Sequence, residues 1–315
     1  MIETLGIHDS VAQVFPPETL AAYLREEAPS PDLDVVVVEA GDRDALADCD
    51  ALVTFAYDEA FLAADLDWIH SVQAGVDRFP FDELEARNVA LTNSTGIHGD
   101  SVGDTVAGYM LSFARRLHRF RDQQHDREWS WPAHDEPFSL RGERLCIVGL
   151  GGLGRGIAAR ADALGMDVVG VKRTPTPVEG VDEVYRRDQL HEAIADARFV
   201  ALAVPLTPET EGLVGADELH AMREDAYLIN VARGEVVAQQ DLVDALDDEI
   251  IAGAALDVFE TEPLPEDSSL WDLEGVIVTP HAAAAHREYG ERVGAIVVES
   301  LRRQARGEGY ANRVV

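Results

Sequence analysis

Arg144-Leu145-Cys146-Ile147-Val148-Gly149-Leu150-Gly151-Gly152-Leu153-Gly154 is the stretch whose reading decides the fold. Residues 145–148 form an apolar run typical of a strand buried on both faces of a parallel sheet. A helical pattern follows through Leu164, and residues 167–171 make a second apolar strand. Glycines at a strand-to-helix turn within a βαβ unit place this G-x-G-x-x-G in the context of a dinucleotide site. Gly149 permits the tight turn, Gly151 lets the backbone approach a pyrophosphate, and Gly154 allows close helix–strand packing. Gly152 and Leu153 open the helix, where N–H groups and a partial positive charge face the phosphates.

Roughly 20 residues past such glycines, an Asp or Glu ordinarily binds the ribose 2′-hydroxyl of NAD. Here Lys172-Arg173-Thr174 holds that place. Lys172 is the only lysine, the other 25 of the 26 basic residues being arginine. A chain that otherwise avoids lysine keeps one where a 2′-phosphate would sit, with no acid expected nearby to repel it. NADP is therefore the preferred cofactor on this reading, and NAD is also accepted.

With 315 residues, 46% of them apolar, the chain can build two cores of ordinary domain size. The N-terminus Met1-Ile2-Glu3-Thr4 runs into a strand pattern rather than a leader. No apolar run approaches the roughly 20 residues that a bilayer span needs. Cys49 and Cys146 both lie in apolar settings, as reduced buried thiols of a cytoplasmic protein would. The net charge of −33, from 59 acidic against 26 basic residues, is spread over the whole chain. It would repel nucleic acid and anionic membranes, so neither is an expected partner. Abundant Asp and Glu with almost no Lys looks like the solvent-facing chemistry of an extreme halophile. In ~1 M salt the Debye length falls to ~3 Å, which screens the self-repulsion.

Residues 1–93 alternate strand patterns, at 2–7, 35–39, 51–54, 68–72 and 89–92, with helical ones, notably at 18–27 and 59–63. Residues 98–121 are expected as one long helix, with Val102, Val106, Tyr109, Phe113 and Leu117 on its apolar face and Asp100 or Ser101 as its cap. Residues 122–141 lack a period and read as a loop. Its Trp129 and Trp131 would meet a second subunit or fold onto the chain's own core. Further strands fall at 199–203, 227–231, 252–258 and 276–279, joined by helices near 189–195, 217–221 and 240–246. A last helix at 287–306 should bury Tyr289, Val293, Ile296, Val297 and Leu301. Such alternation predicts an α/β protein with parallel sheets covered by helices.

Strand ends in the second half carry Val204-Pro205-Leu206-Thr207, Asn230-Val231-Ala232-Arg233-Gly234, Leu256-Asp257-Val258-Phe259-Glu260-Thr261-Glu262-Pro263 and Thr279-Pro280-His281. Ligands of open parallel sheets bind outside such ends. Arg233 suits a bidentate grip on a carboxylate. His281 can exchange a proton with a hydroxyl or carbonyl oxygen, and Glu262 beside it would favour the protonated ring, a general acid at neutral pH. Taken singly, Arg233 could instead pair with Asp257, and Glu262 could merely cap the turn before Pro263.

With the turn Gln73-Ala74-Gly75-Val76-Asp77, these motifs make the sequence resemble the D-isomer-specific 2-hydroxyacid dehydrogenases over nearly its whole length. The resemblance implies two Rossmann- or flavodoxin-like domains with parallel sheets and a cleft between them. The substrate domain would be residues 1–97 completed by 286–315, and the dinucleotide-binding domain residues 98–285. A homodimer formed mainly through the second domain is implied, with a small 2-ketoacid or D-2-hydroxyacid as substrate. Position by position, Arg233, Glu262 and His281 match catalytic residues. Gly75 and Val76 match backbone amides that bind the substrate carboxylate with Arg233. Asp257 and His281 match residues near the nicotinamide, and Val204, Pro205, Val231 and Ala232 match further cofactor contacts.

Lys172 and Arg173 depart from the family's acidic residue, and Ala282-Ala283-Ala284-Ala285 follows His281 where the family often has Gly or Ser at the third place. His286 lies five residues after His281, not four, and no other ligand is near in sequence, so no metal site is expected. The expected activity is reduction of a 2-ketoacid to a D-2-hydroxyacid by hydride from NADPH. A formate or phosphite dehydrogenase of the same superfamily is one alternative, although formate users carry Gln where Glu262 stands. A non-catalytic nucleotide-sensing corepressor is another, and turnover with a ketoacid separates the two.

Overall fold

The computed structural model describes residues 2–315. It divides into two units, one running to Ile97 and resuming at Ala285–Val315, the other His98–Ala284. Ala285 thus goes with the first unit, one residue from the expected boundary.

The first unit holds β1 (Thr4–His8), α1 (Pro17–Glu27), β2 (Asp34–Val38), α2 (Arg43–Ala47), β3 (Ala51–Thr54), β4 (Trp68–Ser71), α3 (Phe81–Ala86) and β5 (Ala90–Asn93). The C-terminal α10 (Tyr289–Ala305) completes it. Its strands form one parallel sheet in the order β2-β1-β3-β4-β5. Apolar clusters cover both faces, which is why these strands read as unbroken apolar runs. On α10, Tyr289, Val293, Val297 and Leu301 are buried as expected, but Val298 takes the buried place expected of Ile296, which is only partly covered. The pattern at 59–63 forms a 3-10 turn, Glu59–Leu62, rather than an α-helix. Cys49 is a buried free thiol of this unit, and Cys146 is a buried free thiol of the other.

The second unit contains α4 (Gly99–Ala114), α5 (Leu117–Asp126), β6 (Arg144–Val148), α6 (Gly152–Ala163), β7 (Asp167–Val171), β8 (Glu183–Tyr185) and α7 (Leu190–Ala195). It continues with β9 (Phe199–Leu202), α8 (Ala216–Ala221), β10 (Tyr227–Asn230), α9 (Gln239–Asp247), β11 (Gly253–Leu256) and β12 (Val276–Val278). All seven strands are parallel, in the order β12-β11-β10-β9-β6-β7-β8. Reading from β8, the first six follow the doubly wound dinucleotide order, with β12 added at the far edge. The switch point, where the chain reverses direction across the sheet, lies between β6 and β9.

The long helix expected at 98–121 is two helices. Arg116 turns into the left-handed region at φ 56°. Phe113 stacks on Tyr227 with ring centroids 4.3 Å apart, and Arg116 Nη1 donates to the Tyr227 hydroxyl at 3.3 Å. The apolar face ends with Ala114. Leu117 is exposed and α5 buries no residue. Residues 122–126, expected as loop, belong to α5. Neither Asp100 nor Ser101 caps α4, which starts at Gly99; Asp100 and Asp104 instead accept from Arg160 of α6 at 3.0 and 2.7 Å. Trp129 and Trp131 are 95% and 89% exposed, so they do not fold onto the chain's own core. Among the described residues, no helix is long and apolar enough to cross a membrane.

Helices α4 and α6 touch backbone to backbone. A Cβ on Gly103 would lie 2.5 Å from the Gly156 carbonyl oxygen, and one on Gly156 would overlap the carbonyl of Gly99. Glycines four apart on both helices, Gly99 and Gly103 against Gly152 and Gly156, make this approach possible.

Candidate active site

The glycine turn leaves β6 at the switch point, where the neighbours of this strand diverge. Gly149 takes φ 101°, and a Cβ there would lie 2.5 Å from the Ala203 carbonyl oxygen. A Cβ on Gly154 would overlap the Gly149 carbonyl, so the helix can sit this close only with glycine. At Gly151 and Gly152 a Cβ would meet nothing within 4 Å. These two residues therefore border open space at the N-terminus of α6, with Leu153 one step inside. Open backbone at a helix N-terminus fits a pyrophosphate.

At the end of β7, the Lys172 N–H donates to the Tyr185 carbonyl at 3.0 Å, extending the ladder to β8. The Lys172 ammonium donates to Thr176 Oγ1 at 3.1 Å, with Arg173 and Thr174 exposed beside it. An acid does stand near this corner, contrary to expectation. The Glu209 carboxyl is held below its ordinary range by a hydrogen bond from Thr207 and a backbone N–H, helped by the charges of Arg187 and Arg173. Arg187 Nη2 also donates to the Glu209 carbonyl. Arg173 follows β7 and Arg187 opens a 3-10 turn after β8, far from Glu209 in sequence, so sequence alone gave no sign of it.

Arg233 follows β10. Asn230 closes the turn, its Oδ1 accepting from the Ala232 N–H at 3.0 Å and its Nδ2 donating to the Arg233 carbonyl at 2.9 Å. Arg233 Nη1 donates to the Ala232 carbonyl at 2.8 Å. Val231 and Ala232 are buried. Val204 and Pro205 follow the adjacent β9, Val204 half-buried and Pro205 exposed. A Cβ on Gly234 would overlap the Phe259 backbone, which brings the turns after β10 and β11 into contact.

Glu262 does two jobs. Its Oε1 accepts from the Phe259 N–H at 3.2 Å, capping the turn, and its Oε2 lies 2.9 Å from His281 Nδ1. An ionised carboxylate only accepts, so Nδ1 donates and Nε2 remains the nitrogen for a ligand. The two side chains are 25% and 31% exposed, reachable yet partly screened from water.

Asp257 is 2% exposed. Its Oδ1 accepts from Thr279 Oγ1 at 2.6 Å and from the Ala282 N–H at 2.8 Å, and its Oδ2 accepts from the Ala283 N–H at 2.8 Å. A carboxylate offers about four lone-pair sites, so little of Asp257 is left for a nicotinamide. His281 itself lies in the left-handed region at φ 52°, a conformation costing a side chain about 1–3 kcal/mol. Its N–H donates to the Asp257 carbonyl at 2.8 Å.

In the first unit, the turn 73–77 is fixed from β5: Asn93 Nδ2 donates to the Ala74 carbonyl at 2.7 Å and the Ser94 N–H to the Gln73 carbonyl at 3.0 Å. Gly75 is half-buried and Val76 buried. Behind it, His70 is fully buried between Thr92 and Ser94, at 2.7 Å and 3.0 Å, and burial pushes its pKa down to about 3. Ser94 Oγ donates to the Ser71 carbonyl, so it must accept from His70 Nε2, and the ring is neutral. His286 accepts from the Glu288 N–H at 3.1 Å and faces Arg292 Nη2 at 3.3 Å, which accounts for both nitrogens.

The family described as "D-isomer specific 2-hydroxyacid dehydrogenase, NAD binding domain" matches residues 107–283. A glyoxylate reductase of Korarchaeum cryptofilum is 35% identical over 304 residues, 92% of this chain and 88% of that protein. A glyoxylate/hydroxypyruvate reductase B of Yersinia pestis is 33% identical over 243 residues, 76% and 74% of the two chains. A D-isomer specific 2-hydroxyacid dehydrogenase of Xanthobacter autotrophicus, solved in complex with NADPH and MES, superposes with TM-score 0.83. It shares 30% identity, over 100% of this chain and 98% of that one.

Proposed function

The chain belongs to the D-isomer-specific 2-hydroxyacid dehydrogenases, NAD(P)-dependent enzymes, and from that membership we propose that it reduces a small 2-ketoacid to the D-2-hydroxyacid with NADPH in preference to NADH. The observation carrying this reading is the His281–Glu262 hydrogen bond of 2.9 Å at the strand ends that also bear Arg233. Bound nicotinamide supplies the hydride. His281 Nε2 delivers the proton to the carbonyl oxygen, while Glu262 holds the ring by Nδ1. Arg233 takes the substrate carboxylate by its guanidinium. The open glycines, Gly151 and Gly152, cradle the pyrophosphate, and Lys172, Arg173 and Thr174 bind the 2′-phosphate. The exposed Trp129 and Trp131 support a homodimer in which that loop is covered.

Glyoxylate, hydroxypyruvate and pyruvate, assayed with NADPH in molar KCl, form the test. Turnover of at least one is expected. No turnover of any 2-ketoacid, with NADPH bound, would favour a nucleotide sensor instead.

A further inference from the structure

The turn carrying His281 is held by one face of α4. Thr105 and Tyr109, four residues apart on that helix, both reach it. Thr105 Oγ1 donates to the Ala283 carbonyl at 3.0 Å, and the Tyr109 hydroxyl lies 2.5 Å from Thr279 Oγ1. The direction of the second bond follows from what stands behind it. Thr279 has one hydroxyl proton, and Asp257 Oδ1, an acceptor, lies 2.6 Å away. Tyr109 must therefore donate to Thr279, and Thr279 to Asp257. Burial pushes the Tyr109 hydroxyl up to about 12, so it remains a donor at neutral pH. Beyond Asp257, three successive N–H groups converge on one residue: that of His281 on the Asp257 carbonyl, those of Ala282 and Ala283 on its carboxylate.

We infer that Tyr109 and Thr279 are positioning residues for His281, acting through Asp257. The chain Tyr109–Thr279–Asp257 sets which way the carboxylate faces, and the carboxylate sets the left-handed turn that points His281 at Glu262. None of the three has to touch the substrate to matter. This rests on the reading of His281 as the proton donor.

Thr279→Val keeps the shape of the side chain and removes the hydroxyl, breaking the relay at its middle. A small misplacement of an acid can cost up to ~10²-fold in rate. We expect Thr279→Val to lower kcat about tenfold or more, with KM for NADPH and the Kd from a direct NADPH titration within about twofold of wild type. Thr279→Ser, which restores the hydroxyl, should recover most of kcat. Tyr109→Phe, a milder cut at the far end, should fall between them. A Thr279→Val enzyme with wild-type kcat, or a Thr279→Ser enzyme as slow as Thr279→Val, would overturn the inference. Parallel loss of kcat and NADPH affinity in all three variants would also overturn it, pointing to general loosening. If His281→Ala itself keeps full kcat, the reading of His281 fails first, and the two failures are thereby told apart.

Discussion

His281 and Glu262 are joined by one hydrogen bond, and each should leave its own mark on kcat. His281→Ala should lower kcat by ~10²-fold or more. Glu262→Gln keeps a hydrogen-bonding group at the turn but weakens the acceptor that orients Nδ1 of His281, so kcat should fall, by less than in His281→Ala. A wild-type kcat in Glu262→Gln would take Glu262 out of the mechanism. At the adenosine end, charged hydrogen bonds are worth ~1.5–3 kcal/mol each, roughly 10- to 150-fold. Lys172→Asp with Arg173→Ala should therefore reverse a preference for NADPH, mainly through KM; unchanged KM ratios would contradict that. His70 offers a test of stability. Its folded pKa of about 3 lies below the ordinary 6.5, so below pH 6.5 the unfolded chain binds a proton that the folded chain refuses. Stability should fall by up to ~1.4 kcal/mol per pH unit between those values, and His70→Gln should remove that slope. Equal slopes in wild type and variant would show that His70 is not its source. The pairing of Glu262 with His281 was legible in sequence because each travels with a motif at a strand end. The load on Asp257 was not, because two of its partners are backbone N–H groups of alanines, which carry no signature.

Helices and strands were legible where their faces are fully apolar, and illegible where they are not. β6, β7, β9 and β10 are buried runs and lie within a residue or so of their expected bounds. β8 is three residues with no buried side chain, and no pattern announces it. The break between α4 and α5 was hidden because Leu117 keeps the helical spacing while lying outside the core. Tyr109 has the same spacing and is buried, but periodicity says nothing of its hydroxyl. The contact of α4 with α6 gives a prediction proper to this scale. Gly156→Ala would drive a methyl group into the Gly99 carbonyl, and overpacking of this kind costs about 1–3 kcal/mol. Gly108 lies on the same α4 with nothing within 4 Å of a Cβ, so Gly108→Ala should stabilise by up to ~1 kcal/mol. Thermal midpoints of the two variants should move in opposite directions; a shared direction would remove the glycine contact from the account.

Across the whole molecule, two parallel sheets were expected and two are present, of five and seven strands. The charge of −33 bears on the medium in which they hold together. Acidic residues this dense repel one another in dilute buffer and are screened in molar salt, where the Debye length is ~3 Å. The thermal midpoint should rise steeply between low and molar KCl, and a flat response would sink the halophilic reading. Under the proposed function, what counts at this scale is which face of a ketoacid receives hydride. The most direct measurement is the handedness of the product, made in molar KCl from hydroxypyruvate or pyruvate with NADPH and resolved by chiral chromatography. The account predicts the D-2-hydroxyacid, formed in step with NADPH consumed; the L-enantiomer, a racemate, or no hydroxyacid at all would contradict it.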